Sequence, residues 1–453
     1  MSAETVTDAT RRPPSNLFYQ SRQRRPLFDR AEGVYMWDVD GRRYLDGCSG
    51  AMVSNIGHSN PRVLAAMRAQ MERGTFAYRL HFENAPAERL ATRVAGLAPA
   101  GMDRVFFVSG GSESVESCLK LARQYAVATG NATRYRVIGR HPSYHGSTLG
   151  ALAVTGYTPM TAPFAPMMHE MPKIAAPTCY LDRDGLADDE RGRRYADLLE
   201  TEIRRQGPET VLAFIMEPVG GASTGALVAP DSYYPRVREI CDRYGVLLIF
   251  DEVMSGAGRT GRFLAAEHWG VVPDLVSLSK GFAAGYVPLG AMLAPGWMVE
   301  PVLDAGGFIH GYTYAGNPLA CAAGDAVLDE ILERDLMGNA ARMGTALHAR
   351  LQALMERHPL IGDVRGLGLL RALELVADRA SMEPLPPAAM AAHRLTELAF
   401  ERGVILYWRR TRGGDRGDHV MVCPPLIVTE AQLDELVAGL DDALAALAAE
   451  LGG

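Results

Sequence analysis

The chain has 453 residues, of which 48% are hydrophobic and 22% charged, and its formal net charge is −7. That length exceeds one ordinary core and predicts two or three domains or subdomains. The mildly acidic balance gives no reason to expect a nucleic acid or an anionic membrane as partner, and no run of about eighteen uncharged apolar residues is present to span a bilayer.

From the N-terminus, MSAETVTDATRRPPSNLFYQ lacks the apolar block of a secretory signal. Its Arg and Thr content would suit a transit peptide, but Glu4 and Asp8 favour an arm that packs on a neighbour. The turn signal DVDG (38–41) between WDV and RRYLD predicts a hairpin, and Asn60-Pro61 opens a helix. Next come the apolar strands RVFFV (104–108), RVIG (136–139), VLAFIM (211–216), VLLIF (246–250), LVSL (275–278) and GAML (290–293), with helices between them. In the helix 113–129, Val115, Cys118, Leu119, Ala122 and Tyr125 share a face, while Glu116 and Lys120 are spaced for an i,i+4 ion pair. Lys173 falls in HEMPKIAAP, which reads as a loop. From about 320 a long helix, a short sheet (362–375) and two further helices follow, the last from Glu430 to about Leu451. Alternating strands and helices predict a mostly parallel, doubly wound α/β sheet. We expect a large domain over 75–324 and a smaller one assembled from 1–74 and 325–453. Cys48, Cys118, Cys179, Cys241, Cys321 and Cys423 lie far apart, with no CxxC pair and no metal-spaced His cluster. They read as the reduced thiols of a cytoplasmic protein without a metal site.

In such a sheet ligands bind beyond the carboxyl ends of the strands, so the residues found there carry the functional signal. SGGSES (109–114) follows the first strand. Gly110 and Gly111 permit a tight turn and the next helix opens with unpaired N–H groups, so with Ser112 this is either a phosphate cradle or an ordinary strand–helix turn. After RVIG, Tyr144 and His145 precede Gly146 and place an aromatic ring at the sheet edge, where it would stack on a planar ligand or cap the core. After VLLIF stand Asp251 and Glu252, a pattern that resembles a Walker B motif. A P-loop requires GxxxxGK[ST], and none of the lysines follows a glycine. After LVSL comes Lys280. Only Lys120, Lys173 and Lys280 among 46 basic residues are lysines. A lysine retained at a strand end in an arginine-rich chain points to a task a guanidinium cannot perform, the loss of a proton to become a nucleophilic amine. A phosphate cradle, a stacking ring, a carboxylate and an amine together meet the requirements for holding pyridoxal 5′-phosphate.

At these positions the chain resembles the class III (omega-type) aminotransferases, a family of fold type I pyridoxal-phosphate enzymes. The resemblance runs from GVYMWDVDGRRYLDG (33–47) to CPPLIVTEAQLDELVAGL (423–440). Its most specific segment is VLLIFDEVMSGAGRTGRF…PDLVSLSKGFAAGYVPLGA, and FFVSGGSESVESCLKLAR, YHGSTLGALAVTG, IMEPVGGASTG and GYTYAGNPLACAA follow the family's order. It implies a large domain with a seven-stranded mixed sheet, and a small α+β domain built from both termini. Lys280 would form the Schiff base with the cofactor and act as general base, and Asp251 would pair with the pyridinium nitrogen. Tyr144 and Val253 would enclose the ring, with His145 and Glu217 beside it, and Gly110, Gly111 and Ser112 would hold the phosphate. Thr313 would reach the phosphate of a neighbouring subunit, which makes a homodimer the functional unit, with a tetramer as the larger alternative.

The implied reaction is a ping-pong transfer of an amino group from a primary amine or omega-amino acid to pyruvate or 2-oxoglutarate. The alternatives are a 1,2-aminomutase, a dialkylglycine-type decarboxylase, or a non-enzymatic binding protein. Two departures bear on substrate. Ala51-Met52 stand where many members carry Leu-Trp, which puts Met52 with Tyr144 in the substrate wall. In YWRRTRGGDRGDHVMVCPP (407–425), an apparent insertion leaves Arg409, Arg410, Arg412 and Arg416 as candidates for the carboxylate-binding arginine, and Arg416 is the choice taken here.

Overall fold

The computed structural model describes residues 15–452. Glu4 and Asp8, on which the expectation of a packing arm rests, lie outside the described residues.

The first sheet begins with β1 (Phe28–Glu32), β2 (Tyr35–Asp38) and β3 (Arg43–Asp46), consecutive antiparallel strands. Asp38 makes the predicted DVDG turn, because its Oδ1 accepts from the N–H groups of Asp40 and Arg42 at 3.1 and 2.9 Å. Asn60 caps the helix Pro61–Arg73 by accepting from the amides of Arg62 and Val63, and Pro61 takes the first position, where a missing N–H costs nothing.

The large sheet contains β4 (Arg104–Val108), β5 (Arg136–His141), β6 (Lys173–Ala175), β7 (Val211–Met216), β8 (Leu247–Asp251), β9 (Leu275–Leu278) and β10 (Gly290–Ala294). Its spatial order is β4-β10-β9-β8-β7-β5-β6, and β10 alone runs antiparallel to its neighbours. This is the expected seven-stranded mixed sheet. Every residue of β7, β9 and β10 is buried, because helices cover both faces, and this is why those strands read as unbroken apolar runs.

The last elements include β11 (Ile361–Leu367), β12 (Leu370–Leu375), β13 (Val404–Ile405), β14 (Tyr407–Arg410) and β15 (Asp418–Val422). Four of these form a sheet in the order β11-β12-β15-β14, while β13 pairs parallel with β3 and so joins the two ends of the chain. One apolar cluster contains Val34, Leu45 and Ile56 from the start together with Leu347, Leu373, Val404 and Leu444 from the end. The helix Pro318–Glu333 belongs to both cores: Cys321 and Leu328 pack with the large sheet, Val327 and Ile331 with the cluster of chain ends.

Two local expectations are corrected. Lys173 does not lie in a loop: it opens β6 and pairs with Gly139, and its Nζ donates to the carbonyls of Ala153 and Met171 at 2.7 and 2.9 Å. Gly139 has no side chain, which leaves space for the lysine stem. Glu116 and Lys120 form no ion pair. A Glu116 oxygen instead accepts from the Ala151 amide at 3.1 Å, and Lys120 Nζ lies 3.4 Å from His310 Nδ1.

Candidate active site

The carboxyl ends of β5, β7, β8 and β9 converge on a cavity of about 140 Å³. Asp251 ends β8, is 5% exposed, and accepts from the Val253 amide through Oδ1 at 3.1 Å. Its Oδ2 lies 2.8 Å from Nδ1 of His145, which is also buried. A buried carboxylate is costly unless paired, and the imidazole and the amide supply that pairing. Glu217 follows β7. Its Oε1 accepts from the Gly221 amide at 3.0 Å, while the buried Oε2 accepts no hydrogen bond and lies 3.8 Å from Arg140 Nη2. Burial raises its pKa, with the Asp251 charge adding to the effect and His145 and Arg140 opposing it.

Lys280 follows β9 by two residues and adopts φ +50°, a left-handed conformation that aims its side chain into the cavity wall. Burial lowers its pKa to about 8, against the opposing pull of Asp251 and Glu217. The free amine is therefore within reach near neutral pH, which is the property a guanidinium lacks.

Opposite stands the start of helix Gly111–Ala128, whose cap, Gly110, offers no side-chain acceptor to the first N–H groups. Ser112 Oγ accepts from the Ser147 amide at 2.9 Å. Gly146 has φ +142°, and a Cβ there would lie 2.7 Å from Ser112 Oγ and 2.9 Å from Ser112 Cα. A side chain at 146 would thus displace Ser112 from the helix start. An uncapped helix N-terminus kept clear by a glycine suits a phosphate. Val253 packs over Gly111, and Tyr144 donates or accepts at Ser147 Oγ across 2.8 Å.

Of the residues singled out from the sequence, Gly111, Ser112, Tyr144, His145, Glu217, Asp251, Val253 and Lys280 all line this cavity. Gly110 does not; it is the helix cap. Thr313 does not either: it is exposed and lines neither this cavity nor the compartment beside it. Gly146 and Met254 line the cavity and were not singled out, although each adjoins a residue that was.

A second compartment of about 230 Å³ shares Tyr144, Met254 and Lys280 with the first. Ala51 and Met52 form one wall, as expected; the others are Tyr157 with Met160, Ala222 with Ser223, and Tyr407 with Arg409. Arg416 lies elsewhere. It stands exposed on the turn that the Thr411 N–H closes onto the Gly417 carbonyl, and it lines no part of the compartment. Arg409 lines the wall because alternation along β14 puts residues 407 and 409 on one side. Its guanidinium carbon lies 4.5 Å from the centre of the Tyr407 ring.

The residues present fit pyridoxal 5′-phosphate. A dianion site, ring walls, an amine and a buried carboxylate acceptor surround one cavity. The profile of the family described as aminotransferase class-III matches residues 19–444. An uncharacterized aminotransferase of Schizosaccharomyces pombe is 39% identical over 99% of this chain and 99% of its own. The putrescine–pyruvate aminotransferase of Pseudomonas aeruginosa is 35% identical over 91% of this chain and 88% of its own. An amine transaminase from an uncultivated Pseudomonas species, solved in its PLP-bound form, superposes with a TM-score of 0.89 at 36% identity, covering 96% of this chain and 99% of that one.

Proposed function

Since the chain belongs to the class III aminotransferases, which depend on pyridoxal 5′-phosphate, we propose that Lys280 and Asp251 carry its transamination and that the compartment beside Lys280 takes the substrate. The observation that carries this reading is that Lys280 and Asp251 line the same cavity, facing an uncapped helix start.

When bound, the cofactor supplies an aldehyde that captures the substrate nitrogen and a ring that draws electrons from the adjoining carbon. Lys280 would hold the cofactor at that aldehyde and would move a proton from the substrate carbon, a task that suits an amine whose pKa burial lowers to about 8. Asp251, held by His145 and the Val253 amide, would accept the hydrogen bond of the ring nitrogen. Gly111 and Ser112 would hold the phosphate, and Tyr144 and Val253 would flank the ring. A primary amine or omega-amino acid donates, and a 2-oxo acid, pyruvate or 2-oxoglutarate, accepts. Arg409, the cation of the substrate compartment apart from Lys280, pairs with the acceptor's carboxylate.

Thr313 serves a second copy of the chain in a homodimer. Its surroundings support this: Tyr314, 65% exposed, packs edge-on against the exposed Phe76, and Ile309 nearby in the chain is 85% exposed, an apolar group of the kind a partner covers. We also assign 75–324 to the cofactor domain and 1–74 with 325–453 to the smaller one, the shared apolar cluster supporting the latter. The test is a donor panel of taurine, β-alanine, GABA, putrescine and 1-phenylethylamine, each with pyruvate and with 2-oxoglutarate. Alanine or glutamate formed in step with donor loss supports transfer. Product formation with no 2-oxo acid present would instead indicate a mutase or decarboxylase.

A further inference from the structure

Two walls of the substrate compartment come from distant parts of the chain: the loop carrying Ala222-Ser223 follows β7, and the strand carrying Tyr407 and Arg409 is β14. One buried carboxylate holds both. Glu374, on β12 and 1% exposed, accepts from Thr411 Oγ1 through Oε1 at 2.8 Å, which fixes the end of β14. Its Oε2 accepts from Arg365 Nη2 at 2.7 Å and from the Tyr180 hydroxyl at 3.2 Å. The same Nη2 of Arg365 donates to the Thr224 carbonyl at 2.9 Å, directly after Ser223. Arg365 is sandwiched as well, its guanidinium carbon 4.1 Å from the centre of the Tyr180 ring. The loop is clasped closely: Gly225 has φ +62°, and a Cβ there would stand 2.8 Å from Arg365 Nη2 and 2.9 Å from the His419 ring. Burial, and then the Arg365 charge, push the His419 pKa down to about 3, so this neighbour adds no second cation to the pair.

We propose that Glu374 and Arg365 are a positioning pair that sets the width of the substrate compartment, by tying the Ala222-Ser223 loop to the strand bearing Tyr407 and Arg409. The inference rests on reading that compartment as the substrate site. Neither residue lines it; they act through Thr224 and Thr411. A buried ion pair is a poor source of net stability but a good source of a unique geometry. Arg365 Nη1 also donates to Asp363 Oδ2 at 2.9 Å, so loss of the Glu374 charge leaves the arginine paired but no longer tied to Thr411.

The decisive quantity is the ratio of kcat/KM for a bulky donor, 1-phenylethylamine, to that for a small one, ethylamine. A ratio is insensitive to the fraction of protein correctly folded. Thr411→Val keeps shape and burial while removing one hydrogen bond to Glu374. It is expected to change the ratio by about fivefold, mainly through KM, with the absorption spectrum of the bound cofactor unchanged. Glu374→Gln, which keeps the shape but turns one of the two accepting oxygens into an NH2 donor and cancels the charge facing Arg365, is expected to change it further. A lowered melting temperature with the ratio unmoved in Thr411→Val would show the pair to be structural only and overturn the proposal. Met52→Ala is measured alongside, because Met52 lines the compartment itself. If it shifts the ratio and Thr411→Val does not, the positioning role alone falls. If neither does, the assignment of the compartment falls and the inference with it.

Discussion

His145 Nδ1 lies 2.8 Å from Asp251 Oδ2, with both side chains removed from water. The imidazole belongs to the segment after β5 and the carboxylate to the end of β8, so the contact spans two strand ends and orients the carboxylate across the cavity. Asp251→Asn replaces an anionic acceptor with a neutral amide and is expected to lower kcat by about a hundredfold or more. His145→Leu removes the contact that orients the carboxylate but keeps the carboxylate itself, and about a tenfold loss is expected. Steady-state kinetics on cofactor-saturated enzyme would check the order; a larger loss in the histidine variant would contradict it.

Lys280→Arg preserves positive charge and removes the titratable amine. It is expected to abolish turnover, and borohydride treatment followed by mass spectrometry should find no cofactor attached to the chain. Robust activity in this variant would refute the amine argument.

The lowered pKa of Lys280, from 10.5 to about 8, carries a stability consequence with a definite sign. Between those values the unfolded chain holds a proton that the folded chain does not, so this group makes stability rise with pH across the window. Below pH 8 its burial as a cation is a full penalty. Cofactor-free Lys280→Met is therefore expected to be more stable than the parent at pH 7, with the gap closing toward pH 10.5. Lys173 is lowered to about 8 by burial as well, but it is common to both proteins and cancels. Urea unfolding across that range is the measurement, and a gap independent of pH would contradict the assignment.

Gly146→Ala places a methyl group against Ser112 at the helix start. A weakening of cofactor binding by about tenfold or more is expected, read by titrating the cofactor-free enzyme and following absorbance, with little change in the donor's KM once saturated. Unchanged cofactor affinity would remove Gly111 and Ser112 as the phosphate site.

Arg409→Leu and Arg416→Leu separate the two readings of the arginine-rich segment. The first is expected to raise the KM for the 2-oxo acid by about tenfold or more, with a smaller effect on a monoamine donor, and the second to leave both nearly unchanged. The reverse pattern would restore Arg416.

The large sheet was legible because its strands are buried on both faces and so appear as short apolar runs: VLAFIM and LVSL match β7 and β9 residue for residue. The strand ends were legible for the same reason, since Asp251 and Lys280 interrupt that pattern with charge. Of the walls of the second compartment, only Ala51-Met52 and Tyr144 were, through the family resemblance. Ala51-Met52, Tyr157-Met160, Ala222-Ser223 and Tyr407-Arg409 are brought together only by folding, and nothing local distinguishes Ser223 or Met160 from ordinary loop residues. Arg409 was hidden by an uncertain register, although two-residue alternation from Tyr407 would have selected it over Arg410. The Glu116–Lys120 pair was a fair reading of helix spacing, but the Ala151 amide claims Glu116, and spacing along one helix carries no information about what packs against it.

The near exclusion of lysine has a chemical consequence outside the catalytic site. Primary amines borne on a CH2 carbon leave, once deaminated, as aldehydes, electrophiles that condense with unprotonated primary amines and foul the catalyst that released them. Arginine resists this at ordinary pH because its guanidinium stays protonated. Of the chain's lysine side chains, Lys280 is reserved for the cofactor, Lys173 is tied to two carbonyls, and Lys120 alone stands open to solvent. A surface whose cations are guanidinium groups carries its positive charge in a form that its own products do not consume.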